Sequence, residues 1–316
     1  MSNSVLLTGG LGYLGGRLAC SLVASGYKVR CGTRRGAIAS PDWLPAMAMV
    51  TLNWTSIEAL TEACRGIDHV VHLAAMNEVE SANDPVGALQ TNGQASLRLL
   101  EAAKAAGVRR FVYFSTAHVY GSPLQGVIDE TTLPRPVHPY AITHKVAEDF
   151  ILAAHDKKQI EGVVVRLSNG FGAPATPNVD RWTLLVNDLC RQAVVTGKLR
   201  LNSAGTQSRD FVTLGDVARA VNHLLQLGAD QLSDGLFNLG GGQSVSILDM
   251  TERVAARWRV LTERDIEVIR PANDGLPAPT LDYRSDKLAA TGFSLSGQVD
   301  REIDDTLTLC IRAFGK

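Results

Sequence analysis

Three glycines near the start of the chain have a spacing that suits dinucleotide binding. Gly9, Gly12 and Gly15 follow an apolar run at 5–7 and lie around the start of a helical pattern. Such glycines allow a tight turn, let the backbone approach a pyrophosphate and let the helix pack closely on the sheet. The helix N-terminus, with free N–H groups and a favourable dipole, then holds the phosphates. The predicted site consists of Gly9, Gly12, Tyr13, Leu14 and Gly15. The alternative is a glycine-rich turn without a ligand.

The residues after the second predicted strand choose between the two nicotinamide dinucleotides. An acidic residue there would hold the 2′-hydroxyl of the adenosine ribose, as in NAD-binding proteins, but this chain has Thr33, Arg34 and Arg35. A missing carboxylate and two neighbouring guanidinium groups suit a 2′-phosphate, which favours NADP over NAD as the cofactor. The alternative is a pair of solvated surface charges.

Seven motifs follow one another along nearly the whole chain. They are TGGLGYLG at 8–15, DHVVHLAA at 68–75, NGQ at 92–94, FSTAHVYG at 114–121, Pro139-Tyr140, RLSNGFG at 166–172, and RDFV at 209–212. In this order they resemble the extended short-chain dehydrogenase/reductases that act on nucleotide sugars, the NAD-dependent epimerase/dehydratase group.

The resemblance implies a catalytic pair. Tyr140 matches the family tyrosine that removes the hydroxyl proton of a sugar while a nicotinamide takes hydride from the same carbon. Thr116 matches a Ser/Thr whose hydroxyl bonds and orients that oxygen, so it also counts as substrate-binding. A tyrosine that only packs at a helix start is the alternative for Tyr140. Further cofactor contacts are implied for Asn53, Trp54, Leu73, Ala74, Ala75, Asn92, Tyr140 and His144.

One position departs from the family pattern. Where the family has Tyr-x-x-x-Lys, this chain has His144 four residues after Tyr140, and Lys145 comes one position late. Residues i and i+4 share a helix face, whereas i+5 is rotated by about 100° further, so Lys145 is not expected to replace the lysine. His144 can still donate to a ribose hydroxyl, but a neutral imidazole does not lower the tyrosine pKa by charge.

A second histidine lies close to the expected catalytic threonine. His118 stands two residues after Thr116, where related dehydratases carry adjacent acidic residues for the elimination of water. We predict an auxiliary acid or base at His118, and the alternative is a loop histidine bonded to the backbone. The missing acidic pair argues against a 4,6-dehydratase.

Two residues match the family positions that hold the nucleotide sugar. Asn169 corresponds to an asparagine near the diphosphate, and Arg209 to an arginine that binds the same phosphates. A guanidinium suits bidentate phosphate contacts better than an ammonium does. Arg209 and Asp210 could instead form a structural ion pair.

The elements that must position these residues alternate between apolar strands and helices. Strands are predicted at 5–8, 29–31, around Met49, and at 69–73, 111–114 and 162–167. Helices are predicted at 13–25, 88–106, 140–154, 182–195, 216–227, 247–258 and 301–314. This alternation indicates an α/β fold with a doubly wound parallel Rossmann-type sheet and a smaller C-terminal substrate lobe. We expect a dinucleotide-binding domain at 1–170 and a substrate lobe at 171–316, with a segment of about 205–240 returning to the sheet.

The composition excludes several classes of partner. The 316 residues include 31 Lys and Arg against 32 Asp and Glu, so no basic surplus indicates a nucleic acid or an acidic membrane. No apolar stretch approaches the length of a membrane span. The five scattered cysteines predict reduced thiols in a cytoplasmic protein, and the histidines have no metal-ligand spacing. The predicted helices 88–106 and 140–154 resemble the pair that forms a homodimer interface in relatives.

Together these observations predict an NAD(P)-dependent enzyme, a nucleotide-sugar 4-epimerase or 4-keto reductase. The two activities share their machinery, and the arginine pair favours the reductase because NADPH is the usual reductant. The alternatives are a nucleotide-sugar dehydratase, or an NAD(P)-binding protein with weak catalysis because His144 replaces the lysine.

Overall fold

The fold is described from a computed structural model that covers residues 3–36, 38–272 and 279–315. Its strands are β1 (Ser4–Thr8), β2 (Lys28–Thr33), β3 (Ala48–Thr51), β4 (His69–His72), β5 (Arg110–Thr116), β6 (Gly126–Ile128), β7 (Glu161–Leu167), β8 (Asn169–Phe171), β9 (Lys198–Arg200), β10 (Ser208–Thr213), β11 (Leu236–Leu239), β12 (Ser244–Ser246), β13 (Glu267–Ile269) and β14 (Leu281–Tyr283).

The helices alternate with these strands. They are α1 (Tyr13–Ala24), α2 (Ile57–Cys64), α3 (Glu78–Asn83), α4 (Pro85–Ala88), α5 (Ala95–Ala105), α6 (Pro139–Asp156), α7 (Leu185–Thr196), α8 (Leu214–Gln226), α9 (Ile247–Thr262), α10 (Asp286–Ala290) and α11 (Val299–Phe314). A π-helical turn, Leu89–Gln94, joins α4 to α5, and short 3₁₀ turns lie at Ala117–Tyr120 and Ala229–Leu232. No helix in the described ranges is both long enough and apolar enough to cross a bilayer.

Seven parallel strands form the main sheet in the order β11-β7-β5-β4-β1-β2-β3. Every residue of β4 and β5 is buried. Strands buried on both faces are typical of a parallel sheet covered by helices on each side, because crossover helices lie on both faces. The order of the strands changes direction between β1 and β4, and the segments that are expected to contact the cofactor follow these two strands. The predicted doubly wound Rossmann-type sheet is therefore confirmed.

Two apolar layers cover this sheet, one on each face. On one face, Leu18 and Leu22 of α1 pack with Val217 and Val221 of α8. On the other face, the core includes apolar side chains from α2, α5 and α6, which are Leu60, Leu99 and Ile151. Helix α6, which carries Tyr140 and His144, is thus anchored directly on the sheet.

A third apolar cluster lies among the C-terminal elements. It joins α7, α9 and α11 to strands β8, β9 and β10 through buried side chains that include Leu189, Leu199, Phe211, Val254 and Ile303. Strand β11 nevertheless pairs with β7 at the edge of the main sheet. It falls inside the segment that we expected to return to the sheet, and the domain boundary at residue 170 stays a prediction.

The predicted single helix at 88–106 differs from the structure. The chain forms α4 up to Ala88, widens into the π-helical turn, and continues as α5 from Ala95. Asn92 and Gly93 are buried in this turn, and a Cβ atom at Gly93 would lie 3.4 Å from Val146 of α6. The apolar periodicity of the sequence does not predict the π-helical turn, because this turn depends on contacts with α6 and with the segment after β4.

Candidate functional site

The glycine turn between β1 and α1 has the geometry of a backbone phosphate cradle. Gly9 has a φ of +71°, and the Gly12 N–H donates to its carbonyl oxygen at 2.9 Å. A Cβ atom at Gly15 would lie 2.1 Å from the same carbonyl oxygen, so no other residue fits there without a shift of the turn. Helix α1 has no acidic residue in its first turn and no side-chain cap at Gly12. Its N-terminal N–H groups are therefore not claimed by a side-chain cap and can serve an anion.

Tyr13 and Leu14 begin helix α1 directly after this turn. The buried Tyr13 hydroxyl lies 3.2 Å from the Gly172 carbonyl oxygen and 3.3 Å from Asn187 Oδ1. Leu14 is partly buried against the core of the sheet. Both side chains thus take part in packing, and the contact of Tyr13 and Leu14 with a dinucleotide stays a prediction.

A hydrogen-bonded chain fixes the wall of the site at the end of β4. The Thr8 hydroxyl lies 2.6 Å from His72 Nδ1 and accepts the N–H groups of Leu73 and Ala74 at 3.2 Å. His72 Nε2 lies 2.8 Å from the Ser96 hydroxyl. Burial lowers the pKa of His72 to about 3, so the ring is neutral. This chain ties the predicted cofactor contacts Leu73 and Ala74 to β1, whereas Ala75 next to them is exposed.

The Asn92 side chain is hydrogen-bonded to the segment after β4 and to helix α6. Its Oδ1 accepts from the Met76 N–H at 2.7 Å, and its Nδ2 donates to the Thr143 hydroxyl at 3.0 Å. The residue is fully buried. The amide is thus engaged by Met76 and Thr143, and a direct contact of Asn92 with the cofactor stays a prediction. Asn92 holds the segment after β4 against helix α6.

The arginine pair lies at the end of β2. Arg34 and Arg35 are exposed, and the Arg35 N–H donates to the Thr33 hydroxyl at 3.1 Å. Neither guanidinium forms an ion pair with a carboxylate of the described residues. Both charges can therefore meet a phosphate from solvent without first breaking a salt bridge.

The two residues predicted near the adenine lie after β3. The exposed Asn53 side chain accepts from the Thr55 hydroxyl at 2.7 Å and forms a local turn. Trp54 is half-buried, and its ring lies 5.9 Å from the ring of His72, centre to centre. The structure thus connects Trp54 to the wall at the end of β4, and the role of Asn53 and Trp54 at adenine stays a prediction.

The expected catalytic residues lie at the carboxyl edge of the sheet. Thr116 ends β5, is buried, and accepts the His118 N–H at 3.2 Å. Tyr140 begins helix α6, where the His138 side chain caps its N–H at 3.2 Å. The Tyr140 ring meets the His144 ring edge to face, with centres 4.4 Å apart. Burial is the main cause that raises the pKa of Tyr140 above its usual value near 10.

His144 is buried one helical turn below Tyr140. Its Nδ1 lies 2.7 Å from the hydroxyl of Tyr113, and its Nε2 has no hydrogen-bond partner within the described part of the chain. Burial lowers the pKa of His144 to about 4. Lys145 pairs instead with Asp149 on the outer side of α6. The prediction that Lys145 does not take the place of the family lysine is consistent with this contact.

Two charged residues that the sequence analysis missed influence this pair. Glu78, at the start of α3, forms an ion pair with Arg181 at 3.0 Å. The carboxylate of Glu78 raises the pKa of Tyr140, and the guanidinium of Arg181 lowers it. No spacing in the sequence points to this pair, because its two members are separated by 103 positions.

His118 lies among several charged groups at the same edge of the sheet. It is half-buried, and burial is the main cause that lowers its pKa, with Arg209 and His138 acting in the same direction. The carboxylate of Glu78 opposes that shift. A hydrogen bond to the backbone at Gly121 also raises the pKa of His118, so the alternative of a backbone-bonded loop histidine stays open.

A cavity of about 700 Å³ lies among the C-terminal elements, lined by residues of β8, α7, β9 and β10. Asn169, Arg209, Thr183 and Arg200 contribute to its lining. Arg209 is exposed, and the amide of Asn169 donates to the Asp210 carbonyl oxygen at 2.8 Å. Both predicted substrate residues therefore face one cavity.

The alternative of an ion pair between Arg209 and Asp210 is wrong. Asp210 is buried and accepts hydrogen bonds from the Ser168 hydroxyl and from the Gly241 N–H, the latter at 2.8 Å. Burial raises its pKa to about 6. The alternation of a strand places neighbouring side chains on opposite faces, so Asp210 faces the core while Arg209 faces solvent.

The residues present fit a nicotinamide dinucleotide. The turn at Gly9 and Gly15 offers a cradle that a Cβ would fill, and the buried His144 Nε2 lacks a protein partner. In the described ranges no group of three or more His, Cys, Asp or Glu side chains could hold a metal ion. The site therefore has donors for an organic anion, and the expected absence of a metal stays a prediction.

Comparisons with known proteins agree with this geometry. The family model described as "NAD dependent epimerase/dehydratase family" matches residues 5–240. The UDP-glucose 4-epimerase of Rhizobium leguminosarum bv. trifolii is 29% identical over 265 residues, which are 78% of this chain and 80% of that protein.

Two solved structures extend the similarity to almost the whole chain. MoeE5 in complex with UDP-glucuronic acid and NAD has a TM-score of 0.78 at 27% identity and covers 98% of this chain and 99% of its own. The Thermus thermophilus UDP-glucose 4-epimerase in complex with NAD has a TM-score of 0.79 at 25% identity, with the same two coverages, 98% and 99%.

Proposed function

Because this chain is an enzyme of the NAD-dependent epimerase/dehydratase family, we propose that it is a nucleotide-sugar 4-epimerase. The observation that carries the proposal is the contact of Tyr140 with His144, whose ring centres lie 4.4 Å apart at the carboxyl edge of the sheet. Ligands bind at this edge in open parallel sheets. The names of the relatives, which are UDP-glucose 4-epimerases, support a nucleoside diphosphate sugar as the substrate class.

In the proposed reaction the dinucleotide would be held by the turn at Gly9, Gly12 and Gly15, with Leu73 and Ala74 as one wall. When bound, it supplies reversible hydride transfer at the sugar carbon. Tyr140 takes the proton of the C4 hydroxyl and later returns it. The Thr116 hydroxyl, buried at the end of β5, orients the same oxygen. Asn169 and Arg209 hold the diphosphate in the adjoining cavity.

The charges around Tyr140 decide how readily it gives up its proton. Burial and the carboxylate of Glu78 both raise its pKa, and Arg181 is the nearby cation that lowers it. Glu78 has the larger effect of the two, so the Glu78–Arg181 ion pair as a whole does not replace the positive charge that a lysine at position 144 would provide. A charge in this position favours the phenolate, which is the form that accepts the sugar proton.

A 4-keto reductase is the second candidate. The exposed Arg34 and Arg35, free of ion pairs with described carboxylates, favour NADP, and NADPH is the usual reductant. NAD is the dinucleotide in the two solved relatives, so the preference for NADP is a proposal for this chain alone. A 4,6-dehydratase is less well supported, because Ala117 and His118 stand where that activity needs acidic residues.

We further propose that His118 contacts the sugar or exchanges a proton with it. Arg209, which lines the cavity, and Glu78 both affect the pKa of His118. Burial keeps the ring neutral near pH 7, so it can act as an acceptor or as a donor. This role is auxiliary to that of Tyr140.

The proposal also includes a homodimer in the cytoplasm. Val86 and Leu89 next to α5, and Ile142 and Phe150 on α6, are exposed apolar side chains on two neighbouring helices. Exposed apolar side chains on helices that pack against each other are typical of a subunit interface. All five cysteines are free, and four of them are buried.

The test is turnover of a panel of nucleotide sugars by the purified protein. We expect NMR of the sugar to show inversion at C4 with a catalytic amount of NAD or NADP, and Tyr140→Phe to lower the rate at least about a thousandfold. Tyr27→Phe, a buried tyrosine beside His69, is the control and should keep full activity. Consumption of stoichiometric NADPH with a 4-keto sugar would favour the reductase. Dinucleotide binding without turnover of any sugar would favour the weakly catalytic binding protein.

A further inference from the structure

The hydroxyl of Tyr113 and the ring of His144 form a buried pair that the proposed chemistry has not used. Tyr113 lies on β5 and His144 on α6, and the hydroxyl is 2.7 Å from Nδ1. Both side chains are almost completely buried. Nδ1 is the closest hydrogen-bond partner of this hydroxyl, and the Ser96 hydroxyl also lies near it. The pair therefore connects the centre of the sheet to the helix that carries Tyr140.

The surroundings decide the protonation of both partners. Burial raises the pKa of Tyr113 well above its usual value, and Glu148 and Tyr140 act in the same direction. The phenol therefore keeps its proton near pH 7. Glu78 on α3 raises the pKa of His144, but burial outweighs this effect and keeps the ring neutral. His144 in turn lowers the pKa of His72 on β4.

A neutral imidazole has one donor nitrogen and one acceptor nitrogen. The nearby Ser96 hydroxyl is already engaged by His72 Nε2 and by the Asn92 carbonyl oxygen, so the phenol proton points to Nδ1, which is then the acceptor. The ring proton therefore lies on Nε2. That nitrogen is buried and lacks a partner within the described chain. A buried donor without an acceptor is costly, so such an atom indicates a partner that a ligand supplies.

We propose that Tyr113 is a positioning residue that holds neutral His144 as its Nε2–H tautomer, so that the free N–H donates to a ribose hydroxyl of the bound dinucleotide. This inference rests on the proposed dinucleotide site. It makes His144 an uncharged donor with a fixed direction where the family pattern has a charged lysine. Tyr113 then allows His144 to bind the ribose where the family pattern has a lysine.

Long-range proton–nitrogen NMR of histidine-labelled protein tests the tautomer without any ligand. We expect the His144 signals, assigned by their loss in His144→Gln, to show Nε2–H in the wild type at pH 7.5. In Tyr113→Phe, which keeps the ring but removes the hydroxyl, we expect a mixture of tautomers. Tyr27→Phe is the matched control and should leave the His144 signals unchanged. An Nδ1–H or a charged ring in the wild type, or an unchanged tautomer in Tyr113→Phe, would overturn the proposal.

Binding measurements separate this inference from the proposed function. We expect Tyr113→Phe to weaken binding of the dinucleotide about fivefold to tenfold, the effect of one neutral hydrogen bond, with unchanged affinity for UDP. Unchanged dinucleotide affinity would overturn the donation to ribose. A wild-type protein that bound no dinucleotide would overturn the proposed function, whereas the spectra without ligand would still decide whether Tyr113 sets the tautomer of His144.

Discussion

At the scale of single residues, the replacement of the family lysine by His144 changes the charge at this position more than its place on the helix. The histidine occupies the same helix face, four positions after Tyr140, and its free Nε2 remains a donor. Its pKa of about 4 means that it carries no charge near neutral pH. In our proposal His144 therefore keeps the hydrogen bond of the family lysine to the ribose but not its charge, because Glu78 outweighs Arg181 in the effect on the pKa of Tyr140.

The first prediction concerns the pH dependence of the reaction. Because burial raises the pKa of Tyr140, the phenolate fraction and hence kcat/KM should rise with pH between about 7 and 9, at up to about tenfold per pH unit. In His144→Lys the added ammonium should move this rise to lower pH by about one unit and increase kcat/KM at pH 7. The pH profile of both proteins measures the effect.

The control for this prediction is Lys145→Gln, since Lys145 pairs with Asp149 away from Tyr140. Its profile should match that of the wild type. A folded His144→Lys protein with a large loss of turnover would contradict the view that histidine is a weakened form of the lysine.

The second prediction concerns the choice of dinucleotide. Arg34→Ala combined with Arg35→Ala should weaken NADP(H) binding at least about tenfold and leave NAD(H) binding unchanged, because only NADP carries the 2′-phosphate. Fluorescence titration with NADPH and NADH measures both affinities. Arg65→Ala removes an exposed arginine that pairs only with Glu62 and serves as the control. Equal loss of affinity for both dinucleotides would show that the arginines do not read the phosphate.

At the scale of elements, the site is built where strand ends meet helix starts. The ends of β1 and β4 are tied through Thr8 and His72, and the end of β5 supplies Thr116. Helices α1 and α6 present their N-termini at this same edge. The rigid sheet thus fixes the spacing between the glycine turn and Tyr140, which loops alone would leave variable.

The third prediction tests the close approach of α1 to the glycine turn. Alanine is a better helix former than glycine, but at Gly15 its Cβ would lie 2.1 Å from the Gly9 carbonyl oxygen. Gly15→Ala should therefore shift the turn, lower the melting temperature and weaken dinucleotide binding at least about tenfold. At Gly36 a Cβ meets no described atom within 4 Å, so Gly36→Ala is the control. Normal binding by Gly15→Ala would mean that phosphates do not enter this turn.

At the scale of the whole molecule, burial of histidines makes the fold sensitive to acid. The pKa is lowered to about 4 at His69, about 3 at His72 and about 4 at His144, from 6.5 in the unfolded chain. Below pH 6.5 the unfolded chain takes up these protons first, which destabilises the fold. Asp210 acts in the opposite direction, because its raised pKa of about 6 lets the folded state take up a proton.

The fourth prediction is the resulting loss of stability. Near pH 5 the unfolded chain binds about three more protons at the histidines, and the folded protein binds about one more at Asp210. The unfolded chain therefore binds about two more protons in total, so the free energy of unfolding should fall by about 3 kcal/mol per pH unit between pH 6 and 4.5. Urea denaturation across this range measures it. In His69→Phe the slope should decrease by about 1.4 kcal/mol per pH unit. A free energy that stayed constant from pH 7 to 5 would contradict the neutral burial of these rings.

The fifth prediction concerns the proposed homodimer. A carboxylate at the exposed Phe150 of α6 should separate the subunits, because a buried unpaired charge costs several kcal/mol in an apolar interface. Light scattering after size-exclusion chromatography should show a dimer for the wild type and a monomer for Phe150→Asp. Val260→Asp, at an exposed apolar residue of α9, should remain a dimer. A monomeric wild type would exclude this interface.

The sequence alone determined the local features of this protein. Apolar runs and helical patterns are short-range, so six of the seven strands of the main sheet, the glycine turn and the position of His144 relative to Tyr140 followed from spacing. The tertiary structure alone decided which distant residues tune the site. Glu78 with Arg181, Tyr113 with His144, and the burial of Asp210 away from Arg209 depend on contacts between separate elements, and no local pattern encodes such contacts. The same holds for the π-helical turn at Leu89–Gln94, whose shape follows from its packing against α6.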